Sequence, residues 1–315
     1  MTSPIPVAYF SVDDPVEPWR NLCRELALPV QLREWPAEIE DPAAIEAAFV
    51  WHAPPAMWTD LPNLRFVQTI GTGVDHLLAH PPPASVSLAR TVDPTLTEQM
   101  AEYAVLAVLA CHRGLHHHLR NQKQGVWGTP PYADTAETPV GVMGTGEIGA
   151  AILQRLRAFQ FPLRAWSRTG RTGIEGVNGF RGLDGLATFL AGSRILLSVL
   201  PATPATDGLL DGERLRQLPR GAHVINLGRG STVVEPDLEA CLASGHLASC
   251  FLDVFAEEPL PPGSPFWQHP QVIVTPHAAG VNFATPYAAR LLASNLARAL
   301  AGQPPQHGIS HARGY

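Results

Sequence analysis

Three groups of residues in this chain have types and spacings that could do chemistry. The first is Gly144-Thr145-Gly146-Glu147-Ile148-Gly149, which follows the apolar run Val140–Met143 and opens a helical stretch, Ile148–Phe159. Glycines so spaced allow a tight turn at Gly144, a close approach of backbone to a pyrophosphate at Gly146, and close packing of helix on strand at Gly149. The helix N-terminus then faces the anion. The spacing alone also describes a plain glycine turn; the strand before it and the helix after it point to a dinucleotide. The second group indicates which dinucleotide. An NAD site expects Asp or Glu about 20 residues on, bonding the ribose 2′-hydroxyl. Here the next strand ends in Trp166-Ser167-Arg168-Thr169, with Arg171 just beyond and no acid among them. Two guanidiniums and two hydroxyls suit a 2′-phosphate through charge-assisted, bidentate hydrogen bonds. The expected cofactor is NADP(H), with NAD(H) second; a solvated basic loop is the alternative reading.

The third group is Arg229, Glu258 and His277. Arg229 lies in Asn226-Leu227-Gly228-Arg229-Gly230, Glu258 in Phe255-Ala256-Glu257-Glu258-Pro259, and His277 in Thr275-Pro276-His277-Ala278-Ala279. Each follows a short apolar run, and ligands of open parallel sheets bind beyond the carboxyl ends of strands. The three can therefore converge on one ligand, although spacing leaves any one of them open as a surface side chain. Asp253, ending a strand beside them, is a candidate to bond a nicotinamide carboxamide. His112 and His116 are one helical turn apart, with His117 and His118 beyond, but no Cys or acidic partner completes a set, so no metal is expected.

The elements that must position these residues are legible as apolar runs. Ile5–Phe10, Ala48–Trp51, Leu64–Ile70 and Val86–Ala89 read as strands, and Pro42–Phe49 and Asp75–Ala79 as short helices. A helical apolar pattern beginning at Thr95 reads as one helix to about Leu119. A polar segment, 121–138, has no clear period and is long enough to be an arm or interface. Pro139–Met143, Leu163–Trp166, Ile195–Val199, His223–Asn226, Ala248–Asp253 and Val272–Thr275 then read as strands. Helices around Ile148–Phe159, Leu183–Ala191, Gly212–Gln217 and Glu235–Ser244 separate most of them, and a last helix covers Pro286–Ala301. Repeated strand–helix units predict doubly wound parallel sheets in an α/β fold. Residues 1–95 and 286–315 are expected to form one domain. Residues 96–285, which include the linking helix and the 121–138 segment, are expected to form a second domain inserted into it.

Composition limits the function classes. At 315 residues, 45% hydrophobic, the chain can bury a sizeable core, and at roughly 150 residues per domain it suggests about two domains. Twenty-two Lys and Arg against 28 Asp and Glu give a net charge of −6, which argues against broad binding to nucleic acid or a membrane surface. No apolar run approaches the ~18 residues of a membrane span, and Met1–Phe10 lacks the basic and apolar regions of a signal peptide. Cys23, Cys111, Cys241 and Cys250 show no CxxC spacing and read as reduced, mostly buried thiols of a cytoplasmic protein.

The sequence resembles the D-2-hydroxyacid dehydrogenases, nearest to the NADPH-preferring glyoxylate/hydroxypyruvate reductases. The likeness runs from Val50-Trp51-His52 through Ile70-Gly71-Thr72-Gly73-Val74-Asp75 and Glu98–Tyr103 to Thr275–His277. Its most specific block is Leu200–Thr206 followed by Leu218–Gly230. Arg229, Glu258 and His277 match the family's catalytic Arg, Glu and His, with Pro259 selecting Glu258 over Glu257. The resemblance implies a Rossmann-type cofactor domain inserted into a smaller flavodoxin-like substrate domain, and a homodimer. It implies that Leu200, Pro201, Thr206, Leu227, Gly228 and Ala279 join the glycine loop, Ser167–Arg171, Arg229, Asp253 and His277 around the cofactor. Arg229 would hold the carboxylate of a 2-oxo acid and polarise its carbonyl, His277 would act as general acid, and Glu258 would orient the imidazole. Amides of the Gly71-Thr72-Gly73-Val74 loop would complete the carboxylate site. Trp51 and His52 would line the substrate cleft, with Trp267 or Tyr287 as further wall candidates. The implied activity is oxidoreductase chemistry, reduction of glyoxylate or hydroxypyruvate. The alternatives are the same reaction on a bulkier 2-oxo acid, or a non-catalytic protein that senses the dinucleotide.

Overall fold

A computed structural model describes residues 4–129, 133–281 and 284–310. The chain divides into two units, 1–96 with 282–315, and 97–281. The first unit opens with β1 (Ile5–Ser11), α1 (Glu17–Glu25), β2 (Val30–Glu34), β3 (Ala47–Trp51), α2 (Ala56–Asp60), β4 (Phe66–Thr69), α3 (Asp75–Ala79) and β5 (Ser87–Arg90). Its five strands are all parallel in the order β2-β1-β3-β4-β5. That is the flavodoxin-like order, whose direction reverses between β1 and β3. The strands bury both faces, which is why Ala47–Trp51 reads as a continuous apolar run. On one face Tyr9, Trp19 and Phe49 pack together, with the Trp19 and Phe49 rings edge-on at 4.8 Å. On the other, Met57, Leu61 and Leu77 cover Ala48, Val50 and Val67.

The second unit contains α4 (Pro94–His112, entered at its first turn), α5 (Leu115–Gln124), β6 (Val140–Met143), α6 (Glu147–Leu156), β7 (Leu163–Ser167), β8 (Asn178–Arg181), α7 (Gly182–Ala191), β9 (Ile195–Ser198), α8 (Gly212–Leu215), β10 (Ala222–Asn226), α9 (Glu235–Ala243), β11 (Leu247–Leu252) and β12 (Val272–Val274). Its seven parallel strands run β12-β11-β10-β9-β6-β7-β8. The six from β8 to β11 follow the Rossmann order, which reverses between β6 and β9. Val140, Val142, Ile195 and Leu197 point to the face covered by α4 and α6. Met143, Leu196, Val224 and Cys250 face the layer of α7 and α9. The last helix, α10 (Pro286–Leu300), belongs to the first unit; Thr285 caps it by accepting the Ala288 amide at 3.0 Å, with Pro286 at its first position. All four cysteines are buried and free. Among the described residues no helix is long and apolar enough to cross a membrane.

Several sequence expectations need correction. Residues 42–49 do not form a helix: a single 3₁₀ turn at Pro42–Ala44, capped by Asp41, leads straight into β3, because Ala47–Trp51 buries itself between neighbouring strands. The helix expected to run unbroken to Leu119 stops at His112. Gly114, left-handed at φ +63°, starts α5 on a new axis although the apolar pattern continues across it. α5 then reaches Gln124, so the 121–138 segment begins as helix; its residues 130–132 lie outside the described residues. α1, β2, α2 and β8 were not expected. β2 and β8 are edge strands, and β8 buries no residue, so neither carries an apolar run.

The core makes a direct prediction. Phe49→Ala removes a ring buried on all sides and is expected to cost about 3–5 kcal/mol. Leu183→Ala, at a side chain 68% exposed, should change stability by less than about 0.5 kcal/mol. Urea midpoints at unchanged slope measure both.

Candidate active site

The carboxyl ends of the second unit's strands carry most of the candidate residues. β6 ends at Met143, and the chain turns at Gly144 (φ +102°), whose amide donates to the Trp166 carbonyl at 2.9 Å. A Cβ on Gly149 would stand 1.9 Å from the Gly144 carbonyl oxygen, so only glycine lets α6 pack this closely over the turn. At Gly146, which caps α6, a Cβ would meet no protein atom within 4 Å. Packing therefore gives no reason for glycine there. A ligand lying on the helix N-terminus does, and the turn fits a dinucleotide pyrophosphate.

β7 delivers Ser167 beside this turn. The Ser167 hydroxyl accepts the Gly170 amide at 3.1 Å, which holds Arg168 and Thr169 in the bend; Arg168, Thr169 and Arg171 are exposed. At the end of β9, the Thr206 hydroxyl donates to the Pro201 carbonyl at 2.6 Å and ties the 201–206 loop into a closed turn. Leu200 and Leu227 are buried beneath it. Gly230 lets the segment after Arg229 pass β11's exit, because a Cβ there would fall 1.8 Å from the Phe255 carbonyl carbon. The Arg229 carbonyl accepts from Asn226 Nδ2 at 3.0 Å and Thr232 Oγ1 at 2.7 Å, which fixes the backbone that presents the guanidinium.

Glu258 and His277 meet directly: His277 Nδ1 lies 2.8 Å from Glu258 Oε2. Glu258 Oε1 accepts the Phe255 amide at 2.8 Å, so both carboxylate oxygens are engaged. Partial burial opposes the charge on Glu258. The His277 contact, the Phe255 amide and the Arg229 charge outweigh it and hold the carboxyl below its ordinary pKa. Arg229 is thus close enough to act on Glu258, and the three polar residues form one electrostatic group. The neighbouring Glu257 is exposed.

Among the described residues, His277 is one of five non-glycine residues with positive φ, at +52°. Its conformation is imposed by Asp253, which is completely buried. Asp253 Oδ1 accepts from Thr275 Oγ1 at 2.6 Å and the Ala278 amide at 2.8 Å; Oδ2 accepts the Ala279 amide at 2.9 Å. The Asp253 carbonyl also accepts the His277 amide at 2.8 Å. The sequence places Asp253 at the nicotinamide; the geometry adds a role in holding the turn that carries His277, for which strand-end position was the only signal. Tyr103 of α4 was missed altogether. Its hydroxyl hydrogen-bonds to Thr275, burial raises its pKa, and with Gln99, Ala278 and Ala279 it lines an open cleft.

Other candidates fall elsewhere. Trp267 lies in a 3₁₀ turn with its indole nitrogen donating to the Pro261 carbonyl at 2.9 Å. Trp51, His52, Thr72, Gly73, Val74 and Tyr287 belong to the first unit. There Trp51 and His52 sit where β3 ends, at the reversal of strand order. Thr72 donates its hydroxyl to the Thr91 carbonyl at 2.9 Å and Val74 is buried, so both side chains turn inward. His116 packs against His117 and lies 6.0 Å from His223. Burial pushes the His116 pKa down to about 4 and that of His223 to about 3. Among the described residues no three His, Cys, Asp or Glu side chains are grouped to hold a metal.

Known proteins resemble the chain in this arrangement. The family model for the NAD-binding domain of D-isomer specific 2-hydroxyacid dehydrogenases matches residues 105–279. A D-isomer specific 2-hydroxyacid dehydrogenase from Xanthobacter autotrophicus Py2, solved with NADPH and MES, is 38% identical over 100% of both chains, with a TM-score of 0.93. An NADPH-dependent glyoxylate/hydroxypyruvate reductase from Sinorhizobium meliloti, solved with NADP and sulfate, is 32% identical over 100% of both, at 0.89. A probable 2-hydroxyacid dehydrogenase from Rhizobium etli CFN 42, solved with NADP, HEPES and L(+)-tartaric acid, is 33% identical over 98% of this chain and 99% of its own, at 0.87. With a family model spanning more than half its length and relatives of this similarity along all of it, the chain belongs to the D-isomer specific 2-hydroxyacid dehydrogenases.

Proposed function

We propose that this enzyme reduces a small 2-oxo acid, glyoxylate or hydroxypyruvate, to the D-2-hydroxy acid with NADPH, and that it works as a cytoplasmic homodimer. The observation that carries the reading is the His277–Glu258 contact beside Arg229, at the same sheet edge as the glycine turn. The similar reductase from Sinorhizobium meliloti supports the substrate, and the NADP(H) bound in the relatives supports the cofactor. The four buried free thiols suit a reducing compartment. Exposed Leu106, Leu115, Leu119, Val126 and Trp127, on and just after α4 and α5, are the apolar surface we assign to the partner copy.

NADPH supplies a hydride to the carbonyl carbon when bound. Gly144–Gly149 hold the pyrophosphate, with the amides of Thr145, Glu147 and Ile148 available at the helix N-terminus. Ser167, Arg168, Thr169 and Arg171 take the 2′-phosphate. Leu200, Pro201, Thr206, Leu227, Gly228 and Ala279 wall the cofactor channel, and Asp253 supports it from behind by holding the Ala278 and Ala279 amides. Arg229 grips the substrate carboxylate and draws charge onto the carbonyl oxygen, which its planar five-donor guanidinium suits. His277, with both ring nitrogens protonated, gives its Nε2 proton to that oxygen while Nδ1–H stays bonded to Glu258, so the anion stabilises the cation that must donate. Thr72, Gly73 and Val74 present backbone to the carboxylate, and Trp51 and His52 bound the substrate.

The first test is NADPH and NADH oxidation with glyoxylate, hydroxypyruvate, pyruvate and phenylpyruvate. NADPH-linked turnover of the small acids is expected, and Arg168→Ala should weaken NADPH while leaving NADH nearly unchanged. Turnover of phenylpyruvate alone would replace the substrate, and equal losses for both cofactors would remove Arg168 from the phosphate site. His277→Ala should lower kcat by about 10²–10⁴-fold in a folded protein. Glu258→Gln tests the ion pair through pH. A carboxyl held below its usual pKa stabilises the fold above about pH 4.3, and that stabilisation is lost as pH falls through the lower folded value. Glu258→Gln should therefore melt below wild type at pH 6–8, and the gap should close on acidification below about pH 4.

A further inference from the structure

In the first unit, a cluster of three rings stands at the strand reversal. Trp51 ends β3, and His52 follows with φ +52°, a left-handed conformation unusual for a residue that carries a Cβ. His76, the second residue of α3, reaches back to both. Its ring stacks on His52 at 4.6 Å and 28°, and meets the Trp51 indole at 4.4 Å and 64°. The His52 backbone amide donates to His76 Nδ1 at 3.3 Å. That acceptor role leaves the proton of the neutral ring on Nε2. α3 itself begins at Asp75, directly after the Thr72-Gly73-Val74 loop.

We propose that His76 is a positioning residue for substrate recognition, which locks the left-handed Trp51-His52 turn to the helix that closes the Thr72–Val74 loop. The inference rests on the reading of both segments as substrate-binding. A left-handed, non-glycine residue costs about 1–3 kcal/mol and persists only where its surroundings over-determine it. At His52 those surroundings are the His76 acceptor and the two ring contacts. They act on different groups of the residue, the acceptor on its N–H and the stack on its side chain, so together they set both the backbone and the imidazole. Trp51 is held between this cluster and the apolar core around Tyr9 and Phe49, which fixes its indole plane. With the Trp51-His52 turn held by a ring on the helix that follows the Thr72–Val74 loop, a substrate meets a wall and a set of amides at a constant separation, and less ordering is left for the binding step. His76 touches no reacting atom in this scheme. It acts on how well substrate is held, not on proton or hydride movement.

Three variants at His76 separate its contacts. His76→Ala removes both, His76→Asn keeps an acceptor near the Nδ1 place, and His76→Phe keeps the ring without the acceptor. For each, kcat and KM are measured with whichever 2-oxo acid the wild type turns over, at saturating NADPH, and NADPH affinity by fluorescence titration. His76→Ala should raise KM about tenfold, with kcat within about threefold and NADPH affinity unchanged, the pattern of lost uniform binding. His76→Asn and His76→Phe should each recover part of the loss. A KM unchanged in folded His76→Ala overturns the proposal. So does a parallel loss of kcat and NADPH affinity, which would mark general structural damage. Crystal structures of wild type and His76→Ala ask the geometric question without any substrate: His52 should leave the left-handed region in the variant. If the wild type reduced no 2-oxo acid, the substrate reading would fail while this result still decided the role of His76; a His52 that stays left-handed without His76 overturns it.

Discussion

The edge that carries His277 and Glu258 depends on one buried side chain, Asp253. Completely enclosed at the end of β11, it can be tolerated only if its oxygens are satisfied, and they are satisfied by the turn that carries His277. The amides of Ala278 and Ala279 and the Thr275 hydroxyl are drawn toward the same two oxygens, so the chain between them must fold back on itself. That folding forces His277 to φ +52° and aims Nδ1 at Glu258. The burial requirement of a carboxyl group thereby becomes the orientation of an imidazole. Glu258 is then held from two sides, by His277 and by the Phe255 amide, in the neighbourhood of the Arg229 charge.

Both units place a left-handed histidine just past the end of a parallel strand. Ala27 and Gln160 share that conformation, but they follow helices, an ordinary place for it, and His307 takes it in the turn before the Ala89–Gly308 bridge. His52 and His277 instead leave β3 and the β12 edge, where extended backbone would be the relaxed choice. In each case neighbouring acceptors impose the bend: Asp253 for His277, His76 for His52. Strained backbone of this kind is affordable because parallel sheets buried on both faces form a rigid frame, from which the loops at the carboxyl ends project. The burial behind that frame is visible in β6 and β9, buried along their length, and in β3, buried up to its last residue.

Much of this was legible in the chain. The central strands announced themselves as apolar runs because both their faces are covered; the edge strands β2 and β8 did not, since a strand with one open side needs no such run. The helix expected through Leu119 shows the limit of periodicity. The apolar pattern continues over Gly114, but a pattern does not encode the backbone angle that a glycine can take. Likewise Pro42–Phe49 has helical composition, yet β1 and β4 recruit Ala47–Trp51 as a strand between them.

By itself the sequence determined the chemistry on offer and its order along the chain: a glycine turn after β6, two arginines and no acid after β7, then Arg229, Glu258 and His277 after successive strands. These are local facts of residue type and spacing, and each strand end in a parallel sheet delivers its residues to the same edge. Only the tertiary structure decided which groups are spent on holding the strand ends of each unit in place. Asp253, Tyr103 and His76 looked like ligand contacts or nothing in particular, because their partners lie between 22 and 26 residues away for Asp253, 172 for Tyr103 through Thr275, and 24 for His76. Hydrogen bonds across such separations exist only after the sheets have formed, so no local pattern can write them.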